Sequence, residues 1–168
     1  MRIEARDATV SDAIAICEIV RRSICECCVA DHRRDPAALS AWLENKTPEN
    51  ASAWVQSLNS VAVVALRVDV VIGFALAKGD ELALCYVVPE ALHQGVGKAL
   101  LRAIEFRLTS RGIRTLRLES TRTAEGFYSR NGFIASGPPQ VWAGMEGFPM
   151  SKALMANPSA EPTCSSQP

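Results

Sequence analysis

Apolar and polar residues follow two different periods along the chain, and each period marks its own set of elements. In the N-terminal third, apolar positions recur every three to four residues, which is typical of helices with one buried face. A first helix is predicted from a cap at Ser11 to about Cys28. Two shorter helices, over 36–44 and 47–58, have proline in the first turn, where an N–H is not needed. A short strand over 2–5 precedes them.

Beyond residue 60, runs of β-branched residues predict strands. The runs 61–67 and 70–77 are separated only by Val68 and Asp69, so they are predicted to pair as an antiparallel hairpin. A strand over 81–88 follows. The remaining predicted elements are a helix over 98–110, a strand over 113–119, a helix over 123–130, a loop rich in glycine and proline over 137–147, and strands over 132–136 and 150–155.

This order of elements predicts one α/β domain, with a mixed sheet covered by helices on both faces. Residues 1–156 make up the predicted domain. Residues 157–168 contain three prolines and four serine or threonine residues but no core-forming side chain, so they are predicted to be a disordered tail.

The composition argues against nucleic-acid-binding proteins and membrane proteins. Lysine plus arginine and aspartate plus glutamate number 18 each, and a formal net charge of zero argues against a nucleic-acid partner. The apolar run 61–66 is too short to span a bilayer, and no basic-then-apolar leader opens the chain. A cytoplasmic protein that binds no membrane is therefore expected.

The six cysteines have two interpretations. Cys25, Cys27 and Cys28 are close enough to form half of a metal site, and His32 is the only nearby imidazole. No second pair of ligands stands elsewhere at the spacing such a site needs. Free thiols, buried or partly exposed, are therefore favoured, and no metal is expected.

The segment 82–101 carries the strongest chemical signal. An apolar run ends at Val88, Pro89 stops it, and a turn with Gly95 and Gly97 leads into a helical segment from Lys98. The first amides of a helix lack internal partners and carry partial positive charge, and glycines allow an anion to approach them closely. The pattern indicates a phosphate site, although many such turns are only turns.

A second motif makes the first more specific. It is the sequence Ala-Glu-Gly-Phe-Tyr-Ser-Arg-Asn-Gly-Phe over 124–133. Together the two resemble the GNAT family of acyl-CoA-dependent N-acetyltransferases. The resemblance covers about 2–155 and is most specific over 81–133. It implies a mixed, mostly antiparallel sheet of about seven strands. It further implies acetyl-CoA as co-substrate, direct transfer to a primary amine, and a fold that in many members forms homodimers.

The resemblance also implies the cofactor contacts. The pyrophosphate would rest on backbone amides, and the pantetheine arm would pair with the end of the preceding strand. The positions that match the family's amides are Gln94, Gly95, Val96, Gly97 and Lys98, and those that match its strand are Val87 and Val88. One departure is clear: Leu92 stands where the family has Gln or Arg, and His93 replaces a common glycine.

Tyr128 matches the family residue that protonates or hydrogen-bonds the leaving sulfur. A phenol of ordinary pKa, near 10, stays protonated at neutral pH and can donate to a thiolate. The alternative is a tyrosine that packs in the core beside Phe127 and Phe133.

Glu81 matches a glutamate that removes the amine proton through water in histone-acetylating members. Regular strand alternation would place it on one face with Ala83 and Cys85. A solvated residue at a strand start is the alternative, and Glu119 is the second candidate for the base. His93 has a suitable intrinsic pKa, but a cofactor contact or exposure suits its position better.

Two functions stay open at this point. The first is an N-acetyltransferase that acts on a small molecule or a peptide amine. The second is a non-catalytic module that binds an acyl-CoA as a sensor. Leu92 favours the second, whereas Tyr128 and the glycine turn favour the first.

Overall fold

The computed structural model describes residues 2–156, so the predicted disordered tail, 157–168, lies outside the described residues. The elements in chain order are β1 (Glu4–Asp7), α1 (Ala13–Cys27), α2 (Val29–His32), α3 (Pro36–Leu43), α4 (Pro48–Gln56), β2 (Ser60–Arg67), β3 (Val70–Lys78), β4 (Glu81–Val87), α5 (Val96–Ser110), β5 (Thr115–Ser120), α6 (Glu125–Arg130), β6 (Ile134–Ala135), β7 (Gln140–Trp142) and β8 (Met145–Ala153). Short 3₁₀ turns precede α1 and follow β4.

The strands form one mixed sheet in the order β1-β2-β3-β4-β5-β8-β6, with β7 paired to β8. Among these pairings only β4 and β5 run parallel. A mixed, mostly antiparallel sheet is confirmed, with eight strands instead of about seven. The predicted β2–β3 hairpin is also confirmed: Val68 and Asp69 both have positive φ, as a two-residue turn of this kind requires.

Helices cover both faces of the sheet, as predicted. On one side, which we call the α1 face, α1 and α4 pack around the fully buried Phe74 and Leu76. On the opposite side, the α5 face, Leu100 and Ile104 of α5 join the ring of Tyr128 from α6. The faces therefore carry separate cores, and a ligand that reached both would have to pass through the sheet. None of the helices described is long and apolar enough to cross a bilayer.

The predicted loop over 137–147 is wrong. Its residues form most of a hairpin, β7 and the start of β8, around Ala143 and Gly144, which both have positive φ. All three residues of β7 are exposed, so no burial-driven alternation marks this strand in the sequence. The sequence also missed the single turn of α2, and α5 begins at Val96 rather than at Lys98.

Candidate active site

A cleft opens where the two parallel strands separate. β4 and β5 pair only at Glu81 and Arg117, where the Arg117 N–H donates to the Asp80 carbonyl at 2.9 Å. Beyond this point a cleft of about 690 Å³ lies between the strands, lined also by α1, α5 and α6. Since α1 lies on one face of the sheet and α5 and α6 on the other, the cleft connects the two faces.

The edge of β4 that faces the cleft has free backbone groups. The Val88 N–H donates to the Ile72 carbonyl at 3.0 Å, and hydrogen-bonded pairs alternate with non-hydrogen-bonded ones along an antiparallel ladder. The N–H and C=O groups of Cys85 and Val87 therefore point away from β3 and toward the cleft. The backbone groups of Val88 already have partners within the protein, because its carbonyl also accepts a hydrogen bond from the Ala91 N–H at 3.0 Å.

A β-bulge interrupts β4 at Ala83. Its neighbours Leu82 and Leu84 have partners in β3, whereas Ala83 has none. An extra residue shifts the alternation of side chains, so Glu81 and Cys85 fall on opposite faces of the sheet. The prediction that Glu81, Ala83 and Cys85 share one face is wrong, because it assumed a regular ladder.

The N-terminus of α5 faces the cleft without a side-chain cap. Gly95 precedes the helix at φ 85°, a conformation that favours glycine, and residues 95–98 line the cleft. The Gln94 side chain turns back, and its Nε2 donates to the Glu90 carbonyl at 2.9 Å. Five of the seven residues matched to the cofactor thus line the cleft, and Val88 and Gln94 do not.

Gly97 lets α5 and α6 approach closely. A Cβ built on Gly97 would lie 3.0 Å from Cζ of Phe127, tighter than most real Cβ contacts. Phe127 also lines the cleft. A side chain at 97 would therefore have to displace this ring or enter the cleft.

Tyr128 lies both in the core of the α5 face and at the wall of the cleft. Its ring is buried edge-on to Phe127 and Phe133, with centroids 5.2 and 5.5 Å apart, yet it also lines the cleft beside Cys85. Burial raises the pKa of Tyr128 well above its usual value, and the nearby Cys85 and Tyr86 add to the shift. Burial also raises the pKa of Cys85 to about 12, against the effect of a hydrogen bond with Tyr128. Both groups therefore hold their protons at neutral pH.

The two candidate carboxylates occupy different places. Glu81 is exposed at the point where β4 and β5 still pair, and it does not line the cleft. Glu119 does line it, from the α1 face of β5. The carboxylate of Glu119 lies over Gly147 of β8, where any Cβ would overlap it. A glycine in the neighbouring strand makes the room for this side chain.

The wall on the α1 face contains the thiols of Cys27 and Cys28, which are free as predicted. Burial raises the pKa of Cys28 to about 12. His32 is buried, with Nδ1 accepting the Arg34 N–H at 3.0 Å and Nε2 3.0 Å from the Ile24 carbonyl, so the ring serves the structure. No group of three or more metal-binding side chains occurs within residues 2–156.

A buried carboxylate that the sequence did not reveal holds the segment between β5 and α6, which contributes Thr123 to the cleft lining. Asp31 in α2 accepts hydrogen bonds from the Arg122 N–H at 2.7 Å, the Thr123 N–H at 3.3 Å and the Thr123 hydroxyl. These partners lie between β5 and α6. Asp31 thus ties the helices of the α1 face to the segment that leads into Tyr128.

We expect Asp31→Ala to lower the free energy of unfolding by about 2–4 kcal/mol, since it removes a buried carboxylate that accepts three hydrogen bonds from the segment before α6. Asp35→Ala is the matched control. It removes an exposed carboxylate that accepts only the Ala37 N–H, at 3.3 Å, and should cost about 1 kcal/mol or less. Urea unfolding measures both, and equal losses would contradict the bridging role of Asp31.

Comparison with known proteins identifies the family to which this fold belongs. The model of the acetyltransferase (GNAT) domain matches residues 29–154. The amino-acid acetyltransferase of Pseudomonas putida (strain GB-1) is 38% identical over 81 residues, which are 48% of this chain and 17% of that protein. The chain thus spans less than a fifth of that curated relative.

Two solved structures share the fold over nearly their whole length. A GCN5-related N-acetyltransferase from Rhodopseudomonas palustris superposes with a TM-score of 0.81 at 23% identity, covering 92% of this chain and 97% of that one. The PaiA N-acetyltransferase of Thermoplasma acidophilum, solved with coenzyme A, gives 0.78 at 24% identity, covering 91% and 99%. With the acetyltransferase (GNAT) domain model matched over most of the sequence, the chain belongs to the GNAT family.

Proposed function

We propose that the protein transfers the acetyl group of acetyl-CoA to a primary amine by direct attack on the thioester. The observation that carries the proposal is the cleft between β4 and β5. It connects an uncapped helix N-terminus on one face of the sheet with a carboxylate on the other, and the Tyr128 hydroxyl lies along it.

The cofactor would enter from the α5 face. Its pyrophosphate would rest on the amides of residues 95–98, with Lys98 and Arg130 beside it in the cleft wall. The peptide-like pantetheine arm would pair with the free backbone groups of Cys85 and Val87. The structure of the Thermoplasma acidophilum relative was solved with coenzyme A, which supports a ligand of this kind here.

The acceptor would approach from the α1 face, where Glu119 would take a proton from the amine through water. The amine nitrogen then attacks the carbonyl carbon, and a β4 N–H stabilises the oxyanion. The carbon–sulfur bond breaks, and Tyr128 protonates the departing thiolate. The second proton that the nitrogen loses as it becomes an amide would restore the Tyr128 hydroxyl through water, and the proton held by Glu119 would pass to solvent. The products are the N-acetylated amine and coenzyme A with a free thiol.

The glycine turn gives the first test of this placement. We expect Gly97→Leu to abolish the thermal stabilisation by acetyl-CoA, because the new side chain displaces Phe127 or fills the cleft. Arg102→Leu places the same side chain on the exposed side of α5, outside the cleft, and should keep the stabilisation. A folded Gly97→Leu protein that acetyl-CoA still stabilises as much as the parent would contradict the placement.

Turnover is tested separately from binding. A panel of primary amines with acetyl-CoA, followed by a dye that detects the released thiol, should show amine-dependent release. Stabilisation by acetyl-CoA without release from any amine would instead identify a non-catalytic acyl-CoA-binding module.

A further inference from the structure

Charged side chains along the cleft are separated by sign. Lys98 and Arg130 line it on the α5 face, where α5 begins and α6 ends. On β5, Leu116 and Leu118 are buried in the core of the α5 face, so the alternating Glu119 points to the α1 face. A ligand that passes through the sheet would meet cations at one end and a carboxylate at the other.

The two arginines nearest to Glu119 in sequence are already paired. Arg117 donates to Asp80 at 2.8 and 3.1 Å, and Arg122 pairs with Glu146. Neither arginine lines the cleft. In the described part of the chain, lysine and arginine line this cleft only at its cofactor end. Even Arg33 and Arg34, which follow α2, lie outside the lining.

We propose that the acceptor is a small primary alkyl amine whose amine-bearing carbon carries no carboxylate. This inference rests on the proposed function, because it takes Glu119 as the group beside the attacking amine. A cationic amine gains from that carboxylate before it gives up its proton. An α-amino acid would instead bring its own carboxylate to the same place, where no free cation compensates it.

The volume of the cleft limits the acceptor to a small molecule, because about 690 Å³ has to hold the pantetheine arm as well. Repulsion between two carboxylates a few ångströms apart near a protein surface amounts to a factor of ten or more in affinity. Selection against α-amino acids therefore needs no dedicated pocket, only the unpaired Glu119.

The experiment compares matched triples with the wild-type protein and acetyl-CoA. Agmatine, arginine and arginine amide form one triple, and phenethylamine, phenylalanine and phenylalanine amide form the other. Within each triple the α-substituent is hydrogen, carboxylate or a neutral amide. We expect kcat/KM for the amine to exceed that for the amino acid by about tenfold or more, with the amide recovering most of the loss.

The comparison is conservative, since the α-amine of an amino acid loses its proton more readily than an alkyl amine does. The amide separates charge from size, because it is as large as the carboxylate but neutral. Thermal stabilisation by acetyl-CoA is measured in the same samples.

Amino acids that react as fast as their amines would overturn this inference and leave the proposed function intact. An amide as poor as the amino acid would also overturn it, because size would then explain the selectivity. Stabilisation by acetyl-CoA without turnover of any member excludes the alkyl amines as acceptors. Absence of both turnover and stabilisation would overturn the proposed function, and this inference with it.

Discussion

Tyr128→Phe is expected to lower turnover by about ten- to a thousandfold while folding and acetyl-CoA binding survive. The substitution keeps the ring, which packs between Phe127 and Phe133, and removes only the hydroxyl beside Cys85. The departing thiolate would then lack its proton donor. Steady-state thiol release measures the rate, and thermal shift with acetyl-CoA confirms that binding is intact.

The pH dependence of the parent enzyme follows from the same group. Because burial raises the pKa of Tyr128 well above 10, the phenol remains a donor throughout the neutral and mildly alkaline range. No alkaline loss of activity should therefore arise from Tyr128 below about pH 10.

Tyr86→Phe is the matched control, as it alters the only other tyrosine of the chain. Tyr86 also lines the cleft, but it follows Cys85 in β4 and so points to the opposite face of the sheet. Its loss should leave the leaving-group step unchanged. A Tyr128→Phe protein as active as the parent across the pH range would show that Tyr128 serves only the core.

The starts of α3 and α4 and the β2–β3 hairpin were accessible from sequence because local chemistry determines them. Pro36 and Pro48 open α3 and α4 as predicted, and Thr47 caps α4 by accepting the Asn50 N–H. The glycine turn before α5 is likewise a local feature, so its place at the cleft could be expected before the fold was known.

The parts of the site that the sequence did not reveal depend on pairing between distant segments. The bulge at Ala83 exists only in register with β3, and it reverses the face on which Glu81 lies. Asp31 meets Thr123 across 92 positions of sequence, and no local pattern announces that contact. Glu119 is the second candidate by sequence because Glu81 matches the family glutamate, and the access of Glu119 to the cleft depends on Gly147 in the antiparallel partner strand.

Glu119 and Glu81 are the two candidates for the general base, and the same substitution in each distinguishes them. We expect Glu119→Gln to lower the rate about a hundredfold at neutral pH, since glutamine keeps the size of the side chain but cannot accept a proton. The rate should recover as pH rises, because more of the acceptor amine is then already uncharged. The acid limb of the pH–rate profile, which reports ionisation of the base, should disappear or move.

Glu81→Gln makes the same chemical change at the position that the family resemblance favours. Because Glu81 is exposed and outside the cleft lining, we expect this variant to keep both the rate and the shape of the pH–rate profile. The reverse pattern, with Glu81→Gln losing the acid limb and Glu119→Gln retaining it, would return the role of base to Glu81. It would also remove the charge argument for an acceptor without a carboxylate, because that argument depends on Glu119 standing beside the amine.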